Sequence, residues 1–118
     1  MHHAEDLKVR TKRYALSVIR LYKILPKNRD EVRVIGKQFI RSGTSVAANY
    51  REASRARSRA EFISKIEICA QEADETQLWI ELLEEGCDFS HELVKSVWQE
   101  SDELISIFVT MSKNTKNG

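Results

Sequence analysis

Glu72 and Glu75 are the residues whose type and spacing come closest to catalytic or metal chemistry. Two carboxylates at i,i+3 share one face of a helix, as in the carboxylate metal centres built inside helical bundles, and those centres also need a Glu-x-x-His element. No Glu-x-x-His occurs in this chain, and His2, His3 and His91 have no acidic or thiol partner at metal-ligand spacing. Cys69 falls on an apolar helical stripe and Cys87 follows a helix-ending Gly86, a pattern of reduced thiols rather than a bridge or ligand pair. Gly-rich phosphate loops and Ser/His or Cys/His pairs are missing as well. The residues therefore predict a non-catalytic protein with no cofactor and no metal, in which Arg41 reaches Glu72 or Glu75.

The second chemistry on offer is phosphate binding. Residues 1–60 hold 15 Lys+Arg against 5 Asp+Glu, a net of +10, and residues 61–118 hold 4 against 13, a net of −9. Such a division hints at a polyanion-binding face, or at basic helices lying beside acidic ones and neutralising them. The candidate phosphate contacts are Lys8, Arg10, Lys12, Arg13, Arg20, Lys23, Arg51, Arg55, Arg57 and Arg59. Binding through them would be indifferent to sequence and steeply salt-dependent. Tyr14, Tyr22 and Tyr50 lie beside this set and are of a type that stacks on bases, although Tyr14 sits on a core stripe.

The elements that must carry these residues are helices. Leu7, Thr11, Tyr14, Val18, Leu21 and Leu25 recur at alternating steps of four and three, which is one apolar seam on a helix. Pro26 stops that helix by lacking an amide proton and disfavouring helical geometry at Leu25. Val32, Ile35, Phe39, Ser42, Val46, Asn49 and Ala53 form a second seam, and Phe62, Ile66, Cys69, Ala73, Thr76, Ile80 and Leu83 a third. Ser58-x-x-Glu61 is a capping box opening the third helix, and Gly86 closes it as a C′ residue. Ser90 is the N-cap expected for the last helix, with Val94, Val97, Ser101, Leu104, Phe108 and Met111 on its seam. The tail from Ser112 is polar and expected to fray.

One domain spanning residues 1–118 follows: an all-α, antiparallel up-down-up-down four-helix bundle, with helices over about 5–25, 30–54, 59–85 and 90–112. Folding back about Arg57 sets Asn49 opposite Lys65–Ile66, Ser45 opposite Cys69 and Arg41 near Glu72–Ala73. Ser42, Gly43, Ser45 and Asn49, with Arg41, Glu72 and Glu75, then form a close-packed polar seam between helices two and three. Ile68, Leu78, Trp79 and Leu82 lie outside the third seam, and a helix apolar on more than one side is covered on more than one side. Another subunit is the expected cover. No apolar run reaches the ~20 residues of a membrane span, and the N-terminus lacks a signal peptide's apolar core, so a cytoplasmic protein is expected. Met1-His2-His3 is given no weight.

The stretches Arg33–Gln38, Arg41–Val46, Ala48–Ala53, Glu61-Phe62 and Glu72–Thr76, closing at Trp79, resemble the bacterial four-helix-bundle proteins also called 23S rRNA intervening-sequence proteins. The most specific element is Ser-x-x-x-Asn-x-x-Glu, here Ser45, Asn49 and Glu52, followed by Glu-Ala-x-Glu-Thr at Glu72–Thr76. Ala47 stands where the family often has glycine or proline. The family name records that some of the genes lie inside ribosomal RNA genes, and for most members no molecular activity is established. The resemblance extends to the accessory variability protein of diversity-generating retroelements. It implies a barrel-like homopentamer that binds RNA or DNA and associates with a reverse transcriptase. That accessory protein is markedly basic, whereas the net charge here is +1.

Overall fold

Each heptad-spaced stretch becomes one helix, because a stripe of buried side chains at 3.5-residue spacing can be covered only by packing helices side by side. The computed structural model describes residues 4–118, with side chains from Leu7 onward; Met1, His2 and His3 lie outside the described residues. The helices are α1 (Ala4–Ile24), α2 (Asp30–Ser54), α3 (Arg59–Glu85) and α4 (Glu92–Asn117). The molecule measures 47 × 24 × 20 Å. A 27-residue helix such as α3 is about 40 Å long, so the helices run along the long axis. Neighbours in sequence pack together, α4 closes the ring on α1 with the lightest contact, and α1 and α3 stand on the diagonal. This is the antiparallel up-down-up-down bundle.

All six members of the α1 seam are buried, as are the seam positions from Ile66 to Leu83 on α3 and from Val94 to Phe108 on α4. At mid-height the core turns polar. Ser42 of α2 lies 2.7 Å from Thr76 of α3, and the Tyr14 phenol of α1 lies 2.6 Å from Ser101 of α4. Ser101 donates to the Val97 carbonyl at 2.8 Å and Thr76 to the Glu72 carbonyl at 2.7 Å. Each hydroxyl has one proton, so with Ser101 committed to Val97 the Tyr14 phenol donates to Ser101, while the Ser42 proton is shared between Thr76 and the Phe39 carbonyl at 3.1 Å. Every helix thus contributes one hydroxyl to a buried belt whose groups all have partners, the condition on which buried polarity is tolerated.

Several sequence expectations change in the structure. Asn49 is only half-buried, and its neighbour Tyr50 is fully buried in the core. Helical spacing allows either at that turn, and the ring removes far more apolar surface from water. Asn49 bonds within its own helix, donating to the carbonyl and hydroxyl of Ser45 at 2.9 and 2.8 Å. Gly43 faces α1 rather than α3: a β-carbon there would stand 2.7 Å from both γ-methyls of Val18, so only glycine permits this approach. Ser45 reaches Glu72 rather than Cys69, and Glu52 pairs with Lys65 at 2.6 Å, which moves the fold-back about a turn beyond the expected register.

The ends differ too. Gly86 keeps right-handed helical geometry, and the left-handed residue of that turn is Asp88, at φ 55°. The N-cap of α4 is His91, whose Nδ1 accepts from the Leu93 amide at 3.0 Å, and Ser90 stays outside the helix. The tail continues as helix to Asn117 instead of fraying at Ser112. Ser112 and Lys116 both bond the Glu67 carboxylate, Lys116 first among the causes that hold it below its ordinary value.

Candidate nucleic-acid interface

The corner between α2 and α3 is built locally and tightly. Arg55 and Ala56 donate their amides back to the Glu52 and Ala53 carbonyls at 3.1 Å, finishing α2. Ser58 then accepts from the Glu61 amide at 3.0 Å, and the Glu61 carboxylate accepts from the Arg57 amide at 3.0 Å. The backbone of the corner is therefore fixed. Its arginine side chains are not: Arg51, Arg55, Arg57 and Arg59 are exposed, and among the described residues none has an ion-pair partner.

The α1 cations divide. Arg10 bonds Glu100 through Nε and Nη2 at 2.7 and 2.8 Å and reaches Glu103 at 2.8 Å, a clasp between α1 and α4. The Glu100 carboxylate holds the guanidinium more firmly protonated than usual, against the opposing effect of burial. Lys12, Arg13, Arg20 and Lys23 are exposed and Lys8 is half-buried, all without ion-pair partners among the described residues. Of the ten candidate cations, Arg10 alone is tied to carboxylates.

Helix electrostatics sharpen the contrast. Arg51 lies in the last turn of α2, where the negative end of the helix dipole favours a cation by about 0.3–1 kcal/mol. Arg59 is the first residue of α3, and Arg57 just precedes its N-cap. There the dipole end is positive and a cation is disfavoured. The three corner arginines also repel one another.

The aromatic side chains expected beside this surface are withdrawn. Tyr14 and Tyr50 are buried in the core. Tyr22 is half-buried, with Lys27 Nζ over its ring at 4.6 Å and its edge against Gly36. No aromatic side chain is exposed among the described residues, which leaves phosphate contact without base stacking.

The polar seam between α2 and α3 is structural. Arg41 stands 3.6 Å from Glu72 and 3.4 Å from Glu75, and Ser45 donates to Glu72 at 3.3 Å. Arg41 is 54% exposed, so its pairing contributes at most about 1 kcal/mol. Among the described residues, Glu72 Oε1 and Trp79 Nε1 are the buried side-chain polar atoms without a hydrogen-bond partner. Three His, Cys, Asp or Glu side chains placed to hold a metal ion do not occur together among the described residues. Burial pushes the Cys69 thiol up to about 12, which keeps it protonated and unreactive. Of the apolar residues outside the third seam, Leu78 and Leu82 are exposed and Ile68 is half-buried. Trp79 is half-buried and packs against the core. No described helix is long and apolar enough to cross a membrane.

The chain matches the family model for the 23S rRNA-intervening sequence protein over residues 5–115. It is also similar to a solved structure from Bacteroides thetaiotaomicron VPI-5482, a protein with unknown function from the S23 ribosomal protein family. The two are 38% identical, the match covers 90% of this chain and 97% of that one, and the TM-score is 0.81. No curated protein matches the chain. Neither description is that of an enzyme.

Proposed function

The chain belongs to the 23S rRNA-intervening sequence protein family, and from that premise we propose that it is a non-catalytic helical scaffold that docks nucleic acid by its phosphates. One observation carries this reading: among the described residues Arg57 and Arg59 have no ion-pair partner at the positive end of α3, where folding gains nothing from a cation. Arg51 and Arg55 extend the same patch. A ligand that supplies negative charge removes the repulsion among them. Because no aromatic platform adjoins the patch, duplex is bound at least as well as single strand, and base identity matters little. A nucleoprotein carrying such a duplex, for instance a reverse transcriptase on its template, fits the same surface.

Fluorescence anisotropy with single-stranded and duplex RNA and DNA, titrated with salt, tests this. Affinity is expected to fall steeply as salt rises. The triple variant Arg55→Ser/Arg57→Ser/Arg59→Ser should lower the logarithmic salt slope by about 2–3, near 0.9 per lost phosphate contact. Absence of binding to all four probes at low salt overturns the proposal.

The exposed Leu78 and Leu82 support a second reading, a protein-interaction module without nucleic acid. The same titration separates the two.

A further inference from the structure

One face of α3 leads away from the arginine corner. Arg59, Ile63, Glu67 and Ala70 recur at steps of four, four and three, so they share a side of the helix. Glu67 and Ala70 form one wall of an open groove of about 360 Å³, and the end of α4 forms the other. Its floor is apolar: Ala70 is half-buried, Phe108 is buried in the core and Val109 is 53% exposed. Its rim is basic, with Lys113 and Lys116 exposed and the Asn117 amide beside them. Among the described residues Glu67 is the one carboxylate lining it, accepting from Ser112 at 3.0 Å and from Lys116.

The groove opens toward the corner. The bonds of Ser112 to Glu67 and of Trp98 to Glu81 fix the antiparallel register of α3 and α4. That register sets Lys116 level with Ile63, one turn from Arg59, or about 6 Å along the axis. Lys113 follows about 4.5 Å further on, on the same face of α4. Arg59, Lys116 and Lys113 thus make a descending row of cations. Lys113, like Arg59, has no ion-pair partner among the described residues.

The shape decides what can follow this row. Packed helices stand about 8–10 Å apart, too close to admit a duplex, whose major groove alone is about 12 Å wide. A single strand is narrow enough. Sites for single strands combine a basic groove that tracks the backbone with flat apolar surface for the bases. Here Lys113 and Lys116 supply the first, and Ala70 and Val109 supply the second without an aromatic ring. An acidic peptide would meet the same lysines, but continuity with the corner patch favours the strand.

We infer that the groove between α3 and α4 is a second nucleic-acid site, which takes an unpaired strand continuing from a duplex held at the corner. The ligand class is then a duplex with a single-stranded extension. This rests on the phosphate-docking reading of the corner and adds the strandedness of the ligand. Glu67 limits the site, because its charge opposes the phosphate that would take Lys116.

Fluorescence anisotropy tests this with a blunt RNA duplex and the same duplex carrying a short unpaired extension at either end. Circular dichroism establishes that each variant of the full chain remains helical. Lys113→Ser/Lys116→Ser removes the rim cations. Val109→Glu charges the floor and leaves intact the bond from Lys116 to Glu67 that holds the α4 tail. The wild type is expected to bind the extended duplex severalfold more tightly than the blunt one. Both variants should erase that difference while the blunt duplex still binds through the corner. The lysine variant should also lower the logarithmic salt slope for the extended duplex by about 1.4, near 0.7 for each lost single-strand contact. Glu67→Gln, which keeps an oxygen for Ser112, should widen the difference. Equal affinity of the wild type for the two duplexes overturns the inference, as does a groove variant that weakens both alike. A glutamate-rich peptide that binds the wild type but not Val109→Glu, without any preference between the duplexes, assigns the groove to a protein and also overturns it. Binding of both duplexes without preference leaves the corner reading standing, whereas absence of all binding at low salt removes both.

Discussion

At mid-height of the bundle Tyr14, Ser42, Thr76 and Ser101 each find a partner inside the molecule, whereas Arg55, Arg57 and Arg59 at the corner find no ion-pair partner among the described residues. The belt hydroxyls lie where an unmet hydrogen bond would cost about 1–3 kcal/mol, and so the fold supplies partners. The arginines lie in water, where leaving a charge unpaired costs little. Complete pairing therefore marks residues that the fold needs. Exposed, unpaired charge in a place that helix electrostatics disfavours marks residues that folding does not explain.

The largest effect expected of this contrast comes from raising the pH. Burial pushes the Tyr14 phenol up to about 12, against the opposing influence of the neighbouring Ser101 and Thr76 hydroxyls, and the Cys69 thiol in the same core also rises to about 12. Both groups are uncharged when protonated, and folding favours that form. Their stabilisation is whole below the unfolded values of 9.0 and 10.0 and is lost as pH climbs toward about 12. On the order of 3 kcal/mol per group is at stake. Lys65, raised mainly by its bond to Glu52, acts in the same direction at the surface. Denaturant midpoints measured across this alkaline range should fall, and the fall should be smaller in Tyr14→Phe. A flat profile would remove the belt from the list of structural elements.

A smaller effect decides whether the belt is one network or two pairs. Tyr14→Phe leaves Ser101 donating to Val97, and Thr76→Val leaves Ser42 with the Phe39 carbonyl at 3.1 Å. Each substitution should therefore cost about 1 kcal/mol, the net worth of a buried neutral hydrogen bond. The Thr76 hydroxyl also acts on the Tyr14 phenol, which joins the two pairs through the centre. In a double-mutant cycle followed by urea unfolding, the combined cost is expected to fall short of the sum by at least about 0.5 kcal/mol. Additive costs would separate the belt into independent pairs.

Much of the belt was legible in the spacing, because Ser42, Thr76 and Ser101 occupy positions where a continuous apolar seam requires a core residue. The choice between Asn49 and Tyr50 was not, since 3.6 residues per turn lets the seam step by three or by four. Packing around the Tyr50 ring made the choice. Gly43 announced a close approach without naming the neighbour, and the answer, Val18, depends on which side of α2 is given to α1. The helical tail was hidden by its polarity, because Ser112 and Lys116 are held by a carboxylate 45 and 49 residues away. For the cations, sequence supplied the asymmetry but not the pairing. Only the placement of Glu100 and Glu103 beside α1 separates Arg10 from the other nine.

The smallest effect expected is on the corner's stability, and it discriminates best between folding and function. If Arg55, Arg57 and Arg59 served the fold, replacing them with serine would shift the unfolding midpoint. The Arg55 amide is held by the Glu52 carbonyl and the Arg57 amide by the Glu61 carboxylate, and the capping interaction of Ser58 with Glu61 uses no arginine side chain. Serine keeps those backbone bonds, so the triple variant should lie within about 0.5 kcal/mol of the wild type. Relief of repulsion at the α3 N-terminus favours a small gain. Thermal unfolding at low and high salt separates the contributions: the wild type should be stabilised by salt relative to the variant, because screening weakens repulsion that the variant no longer has. A clear loss of stability on substitution would give these arginines a structural role. It would also remove the reason for assigning them to a phosphate-bearing partner.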